Sequence, residues 1–255
     1  MTSQRKNRIL RGFDRARDYD RHARVQHEIA EKLAARIANM SLPAGCPGLE
    51  LGCGTGFLTQ AILRSHPGLE LLATDIAPRM LDRARARLGT QPGLRLDVMD
   101  AECPAEDADR GWALIASSLA FQWLQDPASA IAGWYARLAP GGWLAIATLE
   151  KGSFAEWREA LDAAGITSAT RDYATADALV ARLPDDALLD CRRETIVETF
   201  PDGRSFLDSL RAIGAATAWD GRATPAMLRR ALSAFEQAGT RISYRVAFVI
   251  VQRPA

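Results

Sequence analysis

The chain has 255 residues, 48% of them hydrophobic and 25% charged, enough to bury a sizeable core as one large domain or one domain with a substantial insertion. A formal net charge of +1 excludes a global field aimed at nucleic acid or an acidic membrane. No apolar run reaches the ~18 residues of a membrane helix, and residues 1–24 lack the apolar stretch of a secretory signal.

Residues 1–24 hold eight basic and three acidic residues, which reads either as a solvated, partly mobile arm or as a binding element. From His22 to Met40 the apolar positions Val25, Ile29, Leu33, Ile37 and Met40 form one stripe of an amphipathic helix. "SLPAGCPG" breaks the chain, and short apolar runs then alternate with helical patterns. "GLELG", "LELLATD", "LRLDVMD", "WALIASS" and "WLAIATL" read as strands. "FLTQAILRSH" and "APRMLDRARARLG" read as helices, and "PASAIAGWYARLAPGG" as a helix ending in a Pro-Gly-Gly turn. Strands separated by helices of ~10–15 residues predict βαβ units and a parallel sheet with helices on both faces. "RETIVETF" and "SYRVAFVIVQ" predict two further strands. Residues 201–242 between them form a helical excursion, with "RSFLDSLRAIGA" and "PAMLRRALSAFEQAG" as its helices. Such an insertion at the mouth of a sheet suits a lid.

The cysteines Cys46, Cys53, Cys103 and Cys191 form no C-x-x-C pair. With His22, His27 and His66 they complete no metal-ligand spacing. Free thiols in a reducing cytoplasm and no metal are expected. Only three of the 32 basic residues are lysine (Lys6, Lys32, Lys151), so any single arginine is a weak signal.

The stretch "LELGCGTGF" places Gly52, Gly54 and Gly56 where a strand turns sharply into a helix. A dinucleotide fingerprint would read G-x-G-x-x-G, one residue longer. Glu50, two residues ahead, repels phosphate and suits a cation. S-adenosylmethionine carries a sulfonium and an ammonium, so charge favours it over NAD. Asp75, at the end of the second strand, is placed to accept bonds from ribose hydroxyls. Cys53 reads as a small filler of the tight turn.

These motifs, with "LAPGGWLAIATL" downstream, resemble the class I S-adenosylmethionine-dependent methyltransferases. The resemblance implies an α/β fold, a doubly wound, Rossmann-like seven-stranded sheet, with a helical lid between the last two strands. It implies an arm and helix over 1–44 covering the cofactor, a cofactor-binding core over 45–200 and 243–255, and a lid over 201–242. Within that class, "FDRARDYDRHARVQ", "SSLAFQWLQDP", "ATLEKGSFAEW", "SLRAIGA" and "ISYRVAFVIVQR" are similar to segments of the malonyl-acyl-carrier-protein O-methyltransferases of biotin synthesis. Ser118 stands where that family usually has Asn, and Ala113 where many members have Asp.

The resemblance implies a carboxyl methylation, with malonyl-acyl carrier protein as substrate and partner. S-adenosylmethionine would be the donor and S-adenosylhomocysteine the product, in a monomer with neither nucleic acid nor membrane as partner. It implies cofactor contacts from Tyr19, Gln26, Glu50, Gly52, Gly54, Gly56, Asp75, Ile76, Asp100, Ala101 and Ser117. Gln122, Trp123, Arg211 and Arg222 would meet the substrate, with Arg211 the first choice and Arg222 the second for its carboxylate. No general base is expected. Asp100 also reads as a loop cap, Tyr19 as a packing residue, and Phe121 and Trp123 as core aromatics. Two other functions stay open: methylation of another small acid such as aconitate, and non-catalytic binding of S-adenosylmethionine.

Overall fold

The computed structural model describes residues 2–15, 19–103, 111–166, 173–214 and 224–255. Its elements, in chain order, are α1 (Thr2–Arg15), α2 (Tyr19–His22), α3 (Arg24–Ile37), β1 (Gly48–Leu51), α4 (Phe57–Ser65), β2 (Leu71–Asp75), α5 (Pro78–Leu88), β3 (Leu94–Val98) and β4 (Trp112–Ser118). They continue with α6 (Pro127–Ala136), β5 (Leu138–Leu149), α7 (Ala155–Ala163), α8 (Ala176–Val180), β6 (Leu188–Thr199), α9 (Gly203–Ala212), α10 (Pro225–Gln237) and β7 (Arg241–Gln252). The strands form one sheet in the order β3-β2-β1-β4-β5-β7-β6. The first five strands pair in parallel. Strand β7 runs antiparallel to β5: Gly142 O accepts from Arg253 N, and Arg245 O accepts from Glu150 N.

The chain forms two compact units. One comprises Gln26–Thr148, Ala174–Glu194 and Ala247–Ala255. Its central strands read as continuous apolar runs because helices cover both faces of a parallel sheet. Leu49, Leu51, Ile115, Leu144, Ile146 and Val249 are all fully buried in its core. The helix starts are written in the sequence. Asp126 caps α6, accepting from Ser129 N at 3.0 Å, with Pro127 in the first turn. Arg36 of α3 lies over the Phe248 ring at 4.1 Å and pairs with Glu194 at 2.7 Å.

Two expectations are corrected here. The Pro-Gly-Gly stretch is no turn: α6 ends at Ala136, and Pro140–Gly142 lie within β5 as a bulge. Trp112 pairs with Leu138, while Leu114 already pairs with Trp143. A side chain at Gly142 would start 2.5 Å from Trp112 O, so glycine is required where the bulge presses on β4. Strand β6 begins at Leu188, ahead of the "RETIVETF" run. It lies at the sheet edge with most side chains exposed, so its polar residues hide it from an apolar pattern.

The second unit comprises Met1–Val25, Leu149–Tyr173 and Thr195–Val246. Residues 2–15 are helical rather than a loose arm. Gly214, at φ 74, explains part of this. A Cβ there would lie 2.9 Å from the carbonyl carbon of Gly12, so α1 and the end of α9 meet backbone to backbone. Trp157, Phe206 and Phe235 form the aromatic centre of this unit.

Candidate active site

The β1 end, the glycine loop and the β2 end form one hydrogen-bonded group. Asp75 Oδ2 accepts from Gly54 N at 2.9 Å, and Oδ1 accepts from Ala77 N at 2.8 Å. The carboxylate therefore orders the loop and the start of α5 together, a role the sequence did not reveal. Thr74 Oγ1 donates to Glu50 O at 2.8 Å, and Ser117 Oγ donates to Leu51 O at 2.7 Å. Gly52, Gly54 and Gly56 all take positive φ, at 71, 55 and 89°. A Cβ on Gly54 would meet nothing within 4 Å, so that turn faces open space.

Glu50 carries the electrostatics. Its side chain is 1% exposed, and the hydroxyl of Thr59 donates to Oε2 at 2.6 Å. No ion pair to Glu50 occurs among the described residues. Burial raises its pKa to about 8, against the hydrogen bond from Thr59, with the Asp75 carboxylate adding to the rise. A buried carboxylate held without a cation fits a ligand that brings one. The loop thus fits S-adenosylmethionine by charge: Glu50 would hold the ammonium and the Gly52–Gly56 backbone the methionine part. Asp75, at the end of β2, is the acid expected to meet ribose hydroxyls.

Two residues that the sequence did not signal complete the frame. Arg87 Nε donates to Thr55 O at 2.8 Å, while its guanidinium covers the Phe57 ring at 4.2 Å. His27 packs on the same ring, with centroids 4.8 Å apart. Gln26, beside His27, has a buried Oε1 with no hydrogen-bond partner among the described residues. That orphaned acceptor suits a donor on a bound ligand. Ile76 is half-buried directly after Asp75. The Asp100–Ala101 segment is braced rather than loose: Asp100 Oδ1 accepts from Glu102 N at 3.0 Å, and Trp134 Nε1 donates to Ala101 O at 3.0 Å. The first of these is the capping role considered for Asp100.

The predicted substrate residues fare differently. Phe121 is fully buried in the core beneath β4, whereas Trp123 is half-buried. Gln122 is 8% exposed, and both ends of its amide meet protein atoms. Tyr19 is half-buried in α2 of the second unit. Arg211, in α9 of that unit, is 63% exposed and pairs with Asp208 at 2.8 Å, three residues back on the same helix. Its guanidinium is thus solvated and shares its charge with a helix neighbour at the i, i+3 spacing. Arg222 lies outside the described residues. The "GSFAEW" signature turns out to be a structural knot in the second unit. Ser153 Oγ accepts from Arg245 N at 2.9 Å, and the Glu156 carboxylate accepts from both Ser243 N and Ser243 Oγ.

Comparison with known proteins fits this geometry. The family model described as "Methyltransferase domain" matches residues 49–144, the stretch from β1 into β5. The malonyl-[acyl-carrier protein] O-methyltransferase of Magnetococcus marinus is 36% identical over 96% of this chain and 92% of its own length. The chain belongs to the malonyl-[acyl-carrier protein] O-methyltransferase family. It is therefore an S-adenosylmethionine-dependent O-methyltransferase. The biotin biosynthesis bifunctional protein BioCD of Bordetella avium is 39% identical over 96% of this chain, which spans about half (52%) of that relative's length. Among solved structures, the YcgJ protein of Bacillus subtilis superposes with a TM-score of 0.61 at 11% identity, covering 88% of this chain and 99% of that one. At that identity it supports the fold alone. Among the described residues no group of His, Cys, Asp or Glu could hold a metal ion, and no helix is long and apolar enough to cross a membrane.

Proposed function

We propose that this methyltransferase acts on the free carboxylate of a malonyl group thioesterified to acyl carrier protein, giving the methyl ester that enters biotin synthesis. The observation that carries the proposal is the 36% identity to the Magnetococcus enzyme over nearly the whole of both chains. A carboxylate has a pKa near ~4 and is already a nucleophile at neutral pH. No base has to generate it, so the protein's tasks are alignment and exclusion of water. Bound S-adenosylmethionine supplies an electrophilic methyl group on a sulfonium. Glu50, Gly52, Gly54, Gly56 and Asp75 would hold it, with Gln26, Ile76, Asp100, Ala101 and Ser117 along the same strand ends and Tyr19 covering it. In this reading residues 1–44 cover the donor, and the excursion 201–242 is the lid. The malonyl charge then needs a cation from that excursion, Arg211 released from Asp208 or Arg222, with Trp123 beside it. The chain would work as a monomer in the cytoplasm, where its four cysteines stay reduced.

A methyl-transfer assay tests this, offering malonyl-carrier protein, malonyl-coenzyme A and free aconitate side by side. Transfer to the malonyl thioesters is expected. Transfer to aconitate alone would overturn the substrate, and tight donor binding with no transfer would make the chain a binding module. Arg211→Met should lower kcat/KM for malonyl-carrier protein ~100-fold with donor affinity nearly intact. Unchanged kcat/KM would move the role to Arg222.

A further inference from the structure

The segment after β4 contains a strained corner. Leu119 has φ 55, a left-handed conformation that a branched side chain disfavours. Such strain persists only where the surroundings over-determine it. Here three contacts do so. Leu119 N donates to Ala147 O at 2.8 Å. Leu119 O accepts from Gln122 Nε2 at 2.7 Å. Gln122 Oε1 in turn accepts from Thr148 Oγ1 at 3.1 Å, which ties the amide to the end of β5. Thr148 is itself 1% exposed.

The corner has a consequence for the cofactor loop. It sets Ala120 directly against Gly52: a Cβ built on Gly52 would lie 2.4 Å from the Ala120 methyl. The Ala120 methyl therefore fills the space a side chain on Gly52 would need. Gly52, at φ 71, accepts this pressure only because it is glycine. The chain of contacts runs from Thr148 through Gln122 and Leu119 to Ala120 and the first glycine of the loop, all within one compact unit.

We infer that Gln122 is a positioning residue for the methyl donor, a strut that holds the Leu119–Ala120 corner against Gly52, and that it does not bind the acceptor. One N–H and one lone pair of its amide are committed to protein atoms, which fixes its orientation, and at 8% exposure the side chain offers an acceptor little access. The inference rests on the placement of S-adenosylmethionine along Gly52–Gly56 proposed above, and it is independent of which acid is methylated.

The test measures S-adenosylmethionine affinity by calorimetry, without turnover, and the acceptor KM at saturating donor. Gln122→Met keeps the length and removes both hydrogen bonds. It should weaken donor affinity about tenfold and leave the acceptor KM within about twofold. Thr148→Val should give a smaller loss of the same sign. Gln122→Glu supplies a readout that a merely structural role would not move. The protonated carboxyl can still donate to Leu119 O and accept from Thr148, whereas the carboxylate opposes that carbonyl. Its affinity, taken as a ratio to wild type at each pH, should stay near one at about pH 5.5 and fall toward about pH 8.5. Wild-type donor affinity in Gln122→Met with a raised acceptor KM would overturn the inference and return Gln122 to the substrate. If Gln122→Met fails to fold, a Gln122→Glu ratio that stays at one across the whole range overturns it instead. Asp75→Ala separates this failure from that of the loop reading. If it weakens donor binding while Gln122→Met does not, only the strut is lost. If neither variant weakens binding, the loop reading falls and the strut with it.

Discussion

The glycine loop and the second unit use their signature residues in opposite ways. In the loop, Glu50 is buried without a cation and Gly54 faces open space, so the local structure leaves something for a ligand to complete. In the second unit, Ser153, Glu156, Gly152 and Gly214 are consumed by protein contacts. A Cβ on Gly152 would strike Arg245 Cδ at 2.8 Å, and one on Gly214 would strike the Gly12 backbone. Yet the second unit supplied several of the stretches that mark the family most specifically. A motif can thus be diagnostic because it is hard to build rather than because it touches the reaction.

If that contrast is right, damage to the second unit should appear first as lost stability. Phe206 is fully buried, with ring centroids 5.3 Å from Trp157, 5.3 Å from Phe200 and 5.2 Å from Phe235. Phe206→Ala should cost about 3–5 kcal/mol through lost burial and the cavity left behind. Denaturant unfolding gives the number. A loss below about 1 kcal/mol would mean the cluster closes around the gap and is not the centre of that unit. A tenfold loss of S-adenosylmethionine affinity in the folded variant would break the contrast itself.

The loop should respond to pH instead. Glu50 has a folded pKa of about 8 against 4.5 for the free group. The folded state without ligand therefore binds more protons than the unfolded one between those values. By linkage, stability falls as pH rises through that window. Donor binding has the opposite sign: an ammonium prefers ionised Glu50, so affinity should rise as pH approaches 8. The limit is about tenfold per pH unit, the release of one proton. Calorimetry in buffers of different ionisation heat counts that proton directly. Glu50→Gln should flatten both profiles. A wild-type affinity that does not change between about pH 6 and about pH 8 would show that Glu50 is already ionised or faces no cation.

The sequence revealed the strands and helices from β1 to β5 and the last two strands because each obeyed a local rule, but not α1, α7 or α8. Apolar runs gave the parallel strands, Pro127 and Pro225 opened helices, and Gly89 closed α5. It also revealed Glu50, since an acid inside an apolar strand breaks the pattern. What it concealed depended on partners distant along the chain. Gln122 looked like a recognition amide until Thr148 and Leu119 were found at its two ends. Arg87 was one arginine among many until its contacts to Thr55 and Phe57 set it apart. Residues 2–15 looked like a solvated arm because the contact that anchors their helix, Gly12 on Gly214, lies about two hundred residues away in sequence. Pro140–Gly142 carried the residues of a turn, and only pairing with β4 shows them to be a bulge.

The smallest effect in this set belongs to Ser153, and it separates the two uses of a motif most cleanly. Its hydroxyl is fully buried; it accepts from Arg245 N at 2.9 Å and lies 3.0 Å from both Glu150 O and Arg245 O, to either of which it can donate. Ser153→Ala removes few atoms and no charge, so neither a cavity nor a lost ion pair enters. What remains is a partly buried backbone N–H of Arg245 without its acceptor, which costs about 1 kcal/mol. Ser153→Cys keeps a weaker acceptor and should recover part of that loss. Were Ser153 a contact to donor or acceptor, Ser153→Ala would raise a Kd or a KM while leaving the unfolding midpoint in place. The knot predicts the reverse: a lower midpoint in denaturant, unchanged S-adenosylmethionine affinity, and an acceptor KM within about twofold of wild type. A shifted affinity at constant stability would mean that this signature touches the chemistry after all.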